Sequence, residues 1–146
     1  MVRVLIVDDY SLWRRLIVDI LAVRHDVQIV GEAANGLNGI QMAAELQPDI
    51  VILDIGLPDR NGIEVAKQIL ELSPKTRILF LSQNNSKEVI CAAIRTGAQA
   101  YVVKSNASRD LLPALEAVLK GNFFVGTNVF EVRPGESRGT LVPCDC

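Results

Sequence analysis

Apolar positions along the chain fall into two alternating patterns: short continuous runs, and longer stretches in which they return every three or four residues. The continuous or near-continuous runs are Val2-Arg3-Val4-Leu5-Ile6-Val7, Val51-Ile52-Leu53, Arg77-Ile78-Leu79-Phe80-Leu81 and Gln99-Ala100-Tyr101-Val102-Val103, with residues 27–33 as a second short strand after the first. Their length and β-branched content predict strands covered on both faces. Between the first two strands Leu12, Leu16, Ile17, Ile20 and Leu21 recur at helical spacing, which predicts an amphipathic helix from Ser11 to about Arg24, capped by Ser11 or Asp9. By the same reasoning helices cover 37–46, stopped by Pro48, and 62–72, stopped by Ser73-Pro74. Two more cover 86–96, capped by Ser86 and closed by Gly97, and 108–120, with Pro113 inside and Gly121 past the end.

Strand and helix thus alternate five times, which calls for a parallel sheet with helices on both faces and right-handed crossovers. Chemistry in such sheets collects outside the carboxyl ends of the strands. The polar residues at those ends are therefore the candidates. Asp8 and Asp9 close the first strand, Asp54 the third, Ser82 the fourth and Lys104 the fifth. In the common doubly wound order 2-1-3-4-5 the first and third strands are neighbours, so Asp8, Asp9 and Asp54 converge. Converging carboxylates repel one another, and the usual remedies are protonation, a cationic side chain or a hard divalent metal. Mg2+ suits best, because it accepts one or two carboxylates, a carbonyl and retained waters, with Mn2+ an alternative. Lys104 adds a fixed positive charge and Ser82 a hydroxyl donor. A metal, an ammonium and a hydroxyl around one carboxylate make a pocket for a transferred phosphoryl group.

Composition narrows the picture. A chain of 146 residues suits one domain with a tail. Net charge is -2 and no basic run exceeds Arg14-Arg15, so no electrostatic footprint for nucleic acid or an anionic membrane is present. The apolar runs are strand-sized and no leader pattern opens the chain, which gives a cytoplasmic expectation. Cys91, Cys144 and Cys146 read as free reduced thiols, His25 as a solvated surface residue, and Trp13 as packing or partial exposure. Residues 122–146 have no sustained period and read as a tail, irregular or partly disordered beyond about 131 and carrying no output domain, which leaves 1–121 as the domain.

With these residues in place, the chain resembles a receiver domain of the two-component response regulators (CheY-like, flavodoxin-like fold), of the sort found in regulators with a LuxR-type DNA-binding output. The resemblance covers residues 2–121. It is carried by Asp8-Asp9, by Asp54-Ile55-Gly56-Leu57-Pro58 with Gly62 behind, by Ser82 after Leu79-Phe80-Leu81, and by Gly97-Ala98-Gln99-Ala100-Tyr101-Val102-Val103-Lys104. It implies that Asp54 is the phosphoacceptor for a phosphohistidine of a sensor kinase or phosphotransfer protein. It also implies that Asp9, supported by Asp8, holds Mg2+ with Asp54 and the backbone carbonyl of Gly56. Ser82 and Lys104 would bind the phosphoryl oxygens, Ser82 and Tyr101 would switch the surface of the fourth helix, fifth strand and fifth helix, and a homodimer could form through that surface. The alternative is a receiver-like interaction module that works without phosphorylation. A phosphohydrolase would want a second Asp two residues after the nucleophile, where Gly56 stands. Two departures stand out: Gln83 follows Ser82 where the family prefers Ala or Gly, and Ser105 follows Lys104 where many receivers have a cis proline.

Overall fold

The computed structural model describes residues 1–126, and the elements follow the predicted alternation. The strands are β1 (Val2–Val7), β2 (Val27–Ala33), β3 (Ile50–Leu53), β4 (Arg77–Ser82), β5 (Ala100–Val103) and β6 (Phe124–Val125). The helices are α1 (Ser11–Leu21), α2 (Gly36–Leu46), α3 (Gly62–Leu72), α4 (Lys87–Arg95) and α5 (Ala107–Leu119). The strands form one sheet in the order β2-β1-β3-β4-β5-β6, and every pairing is parallel. The five-strand order is the expected one. β6 was not expected: two residues past α5 pair with Ala100 and Tyr101, so β5 lies inside the sheet.

Strand side chains alternate between two cores, as a sheet covered on both faces requires. Leu5 and Val7 point into one with Ile40 of α2, Ile69 of α3 and Ile90 of α4. Val4 and Ile6 point into the other with Ile17 of α1 and Leu111, Leu115 and Val118 of α5. This placement, two helices on one face and three on the other, aims all five helix-preceding strand ends at one rim.

Helix ends explain the small departures from the predicted boundaries. The α1 cap is neither Ser11 nor Asp9: Tyr10 occupies the position, and the Asp8 carboxylate accepts from the Tyr10 N–H at 2.9 Å. Asn35 caps α2 and Asn61 caps α3, each side chain accepting from a backbone N–H in the first turn, and Ser86 caps α4 as predicted. After β5 the backbone takes one 3-10 turn, Lys104–Asn106, before α5 begins. No peptide among the described residues is cis, so Ser105 follows Lys104 through an ordinary trans bond. Cys91 corrects the free-thiol expectation, because it is disulfide-bonded. Cys144, Cys146 and the tail expectation beyond 126 lie outside the described residues. No described helix is long and apolar enough to cross a membrane.

Candidate phosphoryl pocket

Asp8 and Asp54 meet because of strand register. Val7 and Leu53 are partners in the β1–β3 ladder, and each strand ends on the next residue, a carboxylate. The backbone fixes both: Asp8 N–H donates to the Ala33 carbonyl and Asp54 N–H to the Val7 carbonyl, each at 3.0 Å. Asp9 follows on the solvent side. One carboxylate oxygen from each of Asp8, Asp9 and Asp54 lies within 4.8 Å of the others, Asp9 exposed and the other two buried.

The loop behind Asp54 is tightly closed. Leu57 and Gly62 N–H groups both donate to the Ile55 carbonyl, and Gly56 bridges Asn61. A Cβ at Gly62 would meet the Asp54 carbonyl oxygen and, at 2.5 Å, the Ile55 Cα, so only glycine fits under the loop behind Asp54. Gly56 differs. Nothing lies within 4 Å of where its Cβ would stand, and the residue lines the pocket with its N–H 3.3 Å from Asp54 Oδ1. Its smallness is thus an opening toward the pocket rather than a conformational need.

Lys104 lies at the centre. Its Nζ is 2.7 Å from Asp8 Oδ2 and 3.1 Å from Asp54 Oδ2, and the side chain is only 4% exposed. Burial pushes the Asp8 carboxyl above its ordinary value of 3.8; Lys104 and the Tyr10 N–H oppose the shift, and the Asp54 charge adds to it. Ser82, at the end of β4, is buried and accepts from the Asn84 N–H at 3.2 Å. Tyr101 is fully buried, tilted against Phe80, with its hydroxyl donating to the Asn84 carbonyl at 2.6 Å. Burial pushes its phenol up to about 12, so it remains a hydrogen-bond donor throughout the neutral range.

All the predicted site residues therefore sit at one rim, with Tyr101 one layer below. Asp9, Asp54, Gly56, Ser82 and Lys104 line an open cavity of about 410 Å³. The same cavity is lined by Gln83, the bulky neighbour of Ser82, and by Tyr10, Trp13 and Asn84, which sequence reasoning did not place there. The donor set fits a hard divalent cation, since the carboxylates converge and exposed Asp9 leaves room for retained waters.

Comparison with known proteins agrees with this geometry. Residues 4–116 match the response regulator receiver domain family. The nitrate/nitrite response regulator protein NarL of Escherichia coli is 35% identical over 118 residues, which are 81% of this chain and 55% of that protein. The chemotaxis protein CheY of Thermotoga maritima is 36% identical over 118 residues, covering 81% of this chain and 98% of that one. A LuxR-family two-component response regulator from Aurantimonas superposes with a TM-score of 0.82 at 30% identity, covering 86% of this chain and 90% of the other. The chain thus spans about half the length of NarL but nearly the whole of CheY. By matched family, fold order and polar rim together, this chain belongs to the response regulator receiver domain family.

Proposed function

We propose that the chain is a phosphorylation switch whose phosphoacceptor is Asp54. An Asp54 carboxylate oxygen attacks the phosphorus of a phosphohistidine on a partner histidine kinase or phosphotransfer protein. The P–O bond forms as the P–N bond breaks, and the electron pair returns to the imidazole. Asp9 and Asp54, supported by Asp8 and with the Gly56 carbonyl, would hold Mg2+, which when bound neutralises charge developing on the phosphoryl oxygens. Lys104 pairs with a phosphoryl oxygen, and Ser82 donates to another.

The observation that carries this reading is the Lys104 ammonium held 3.1 Å from Asp54 inside a three-carboxylate cluster. Fixed positive charge beside one carboxylate of an acidic cluster suits the transfer of an anionic group to that carboxylate. Phosphorylation adds roughly 1.5 to 2 negative charges, enough to draw the Ser82 hydroxyl and Lys104 toward the new group. Tyr101, hydrogen-bonded to the residue two beyond Ser82, would relay that shift to the surface of α4, β5 and α5.

Incubation with acetyl phosphate and Mg2+ tests the reading. An acid-stable, base-labile adduct is expected, absent when Mg2+ is chelated and absent in Asp54→Asn. Labelling that survives Asp54→Asn sinks it. The chain would then be better described as an interaction module independent of phosphorylation, with partner binding indifferent to that substitution. The 1–121 segment is the proposed receiver unit, with β6 packed against its last strand.

A further inference from the structure

Trp13 is one of the pocket residues to which none of these steps assigns a task. It sits on the first turn of α1, partly buried, at the edge of the core formed by α1 and α5. Its ring lies 5.0 Å from the Lys104 Nζ. Two carboxylates hold that ammonium, Asp8 at 2.7 Å and Asp54 at 3.1 Å, and the indole ring approaches it as well. An ammonium has three N–H donors and loses most of its hydration when buried, and a π face compensates part of that loss without competing for a carboxylate.

The backbone keeps Trp13 in register with the site. The Asp8 carboxylate accepts from the Tyr10 N–H, the Tyr10 carbonyl accepts from the Trp13 N–H at 3.0 Å, and the Arg14 guanidinium donates to the Asp8 carbonyl. Asp8 thus anchors both Lys104 and the turn that carries Trp13. The three groups form one rigid bracket.

We propose that Trp13 is a positioning residue for phosphoryl transfer, its indole face holding the Lys104 ammonium at the mouth of the pocket. The inference rests on the reading that Lys104 pairs with the phosphoryl group. As charge passes from the Asp54 carboxylate to phosphoryl oxygens, Lys104 must follow it outward. A flat polarizable wall beside the ammonium limits where it can go and favours the geometry that reaches both Asp54 and the incoming group. Phenylalanine would keep a weaker π face, and leucine would keep only bulk.

The chain contains a single tryptophan, so its emission reports on this contact directly. Lys104→Met is expected to change the intensity or wavelength of Trp13 emission with no phosphodonor present; an unchanged spectrum overturns the contact. Labelling of Asp54 by acetyl phosphate with Mg2+ is expected to slow about three- to tenfold in Trp13→Leu and to stay within about twofold of the parent in Trp13→Phe. In a Lys104→Met background Trp13→Leu is expected to add nothing, because the group it positions is gone. Equal slowing by Trp13→Leu with and without Lys104 would assign Trp13 to packing and overturn the inference. A parent protein that labels at Asp54 while Trp13→Leu labels equally fast overturns the inference alone. A parent protein that does not label at all overturns the reading beneath it as well.

Discussion

Buried polar groups gather at two ends of this sheet, and they are resolved in opposite ways. At the amino end, buried Ser73 and Thr76 form a neutral knot with Pro48 and the exposed Gln47. The Ser73 and Thr76 hydroxyls are 2.6 Å apart, Thr76 donates to the Pro48 carbonyl at 2.7 Å, and Ser73 donates to Gln47 Oε1 at 3.1 Å. The Gln47 amide donates to the Ala44 and Leu72 carbonyls, while its backbone turns left-handed, φ 47°, to end α2. Partners there are neutral and supplied from within. At the carboxyl end, Asp8, Asp9 and Asp54 face one ammonium, leaving an excess of negative charge that the chain itself does not balance. A knot of neutral hydrogen bonds ties α2 to the α3–β4 turn; an unbalanced charged cluster is the kind of site that takes up a cation.

That contrast can be broken experimentally, starting with the largest effect. Gly62→Ala should lower stability by about 1–3 kcal/mol, because the added methyl meets the Asp54 carbonyl and the Ile55 Cα with nowhere to move. Chemical denaturation would read the loss, and Asp54 labelling should fall with it. At the neutral end, Thr76→Val should cost about 1–2 kcal/mol, since the Pro48 carbonyl loses its donor, yet Asp54 labelling of the folded fraction should match the parent. A slowed labelling rate there would mean the two ends are coupled. Tyr101→Phe should cost about 1 kcal/mol by removing the donor to the Asn84 carbonyl, with no titration signature below its phenol value of about 12.

The smallest effect has the opposite sign. Burial raises the Asp8 carboxyl above 3.8, so its charged form costs stability that is absent below 3.8 and grows as pH rises through the raised value. Asp8→Asn should therefore raise the melting temperature at neutral pH, its single amide oxygen keeping one of the two partners of Asp8, Lys104 or the Tyr10 N–H. The gain should vanish as pH falls into the carboxylate range. A melting temperature that drops at neutral pH would mean the ion pair with Lys104 outweighs the burial of Asp8.

Strand ends were the legible part of the sequence. A continuous apolar run cannot continue into a carboxylate or an ammonium without a partner for its charge, so Asp8, Asp54 and Lys104 mark their own strand ends. Several features were not legible. Tyr101 reads as an edge-strand aromatic until β6, two residues long, covers β5 and makes it interior. Trp13 reads as packing because nothing local says that an indole on α1 will face an ammonium from the end of β5. The α1 cap was misassigned because Tyr10, whose side chain makes no cap hydrogen bond, occupies the position.

The chain's own pattern determined five alternations of strand and helix, the parallel order and the residues at each strand's carboxyl end, because period and burial are local properties of side chains. Only the tertiary structure decided which neighbours those residues would have. The pairing of Val7 with Leu53 brings Asp8 level with Asp54, and the 3-10 turn after β5 lets Lys104 fall back between them. Distances of that kind depend on register and crossover geometry summed over the whole sheet, which no single stretch of sequence contains.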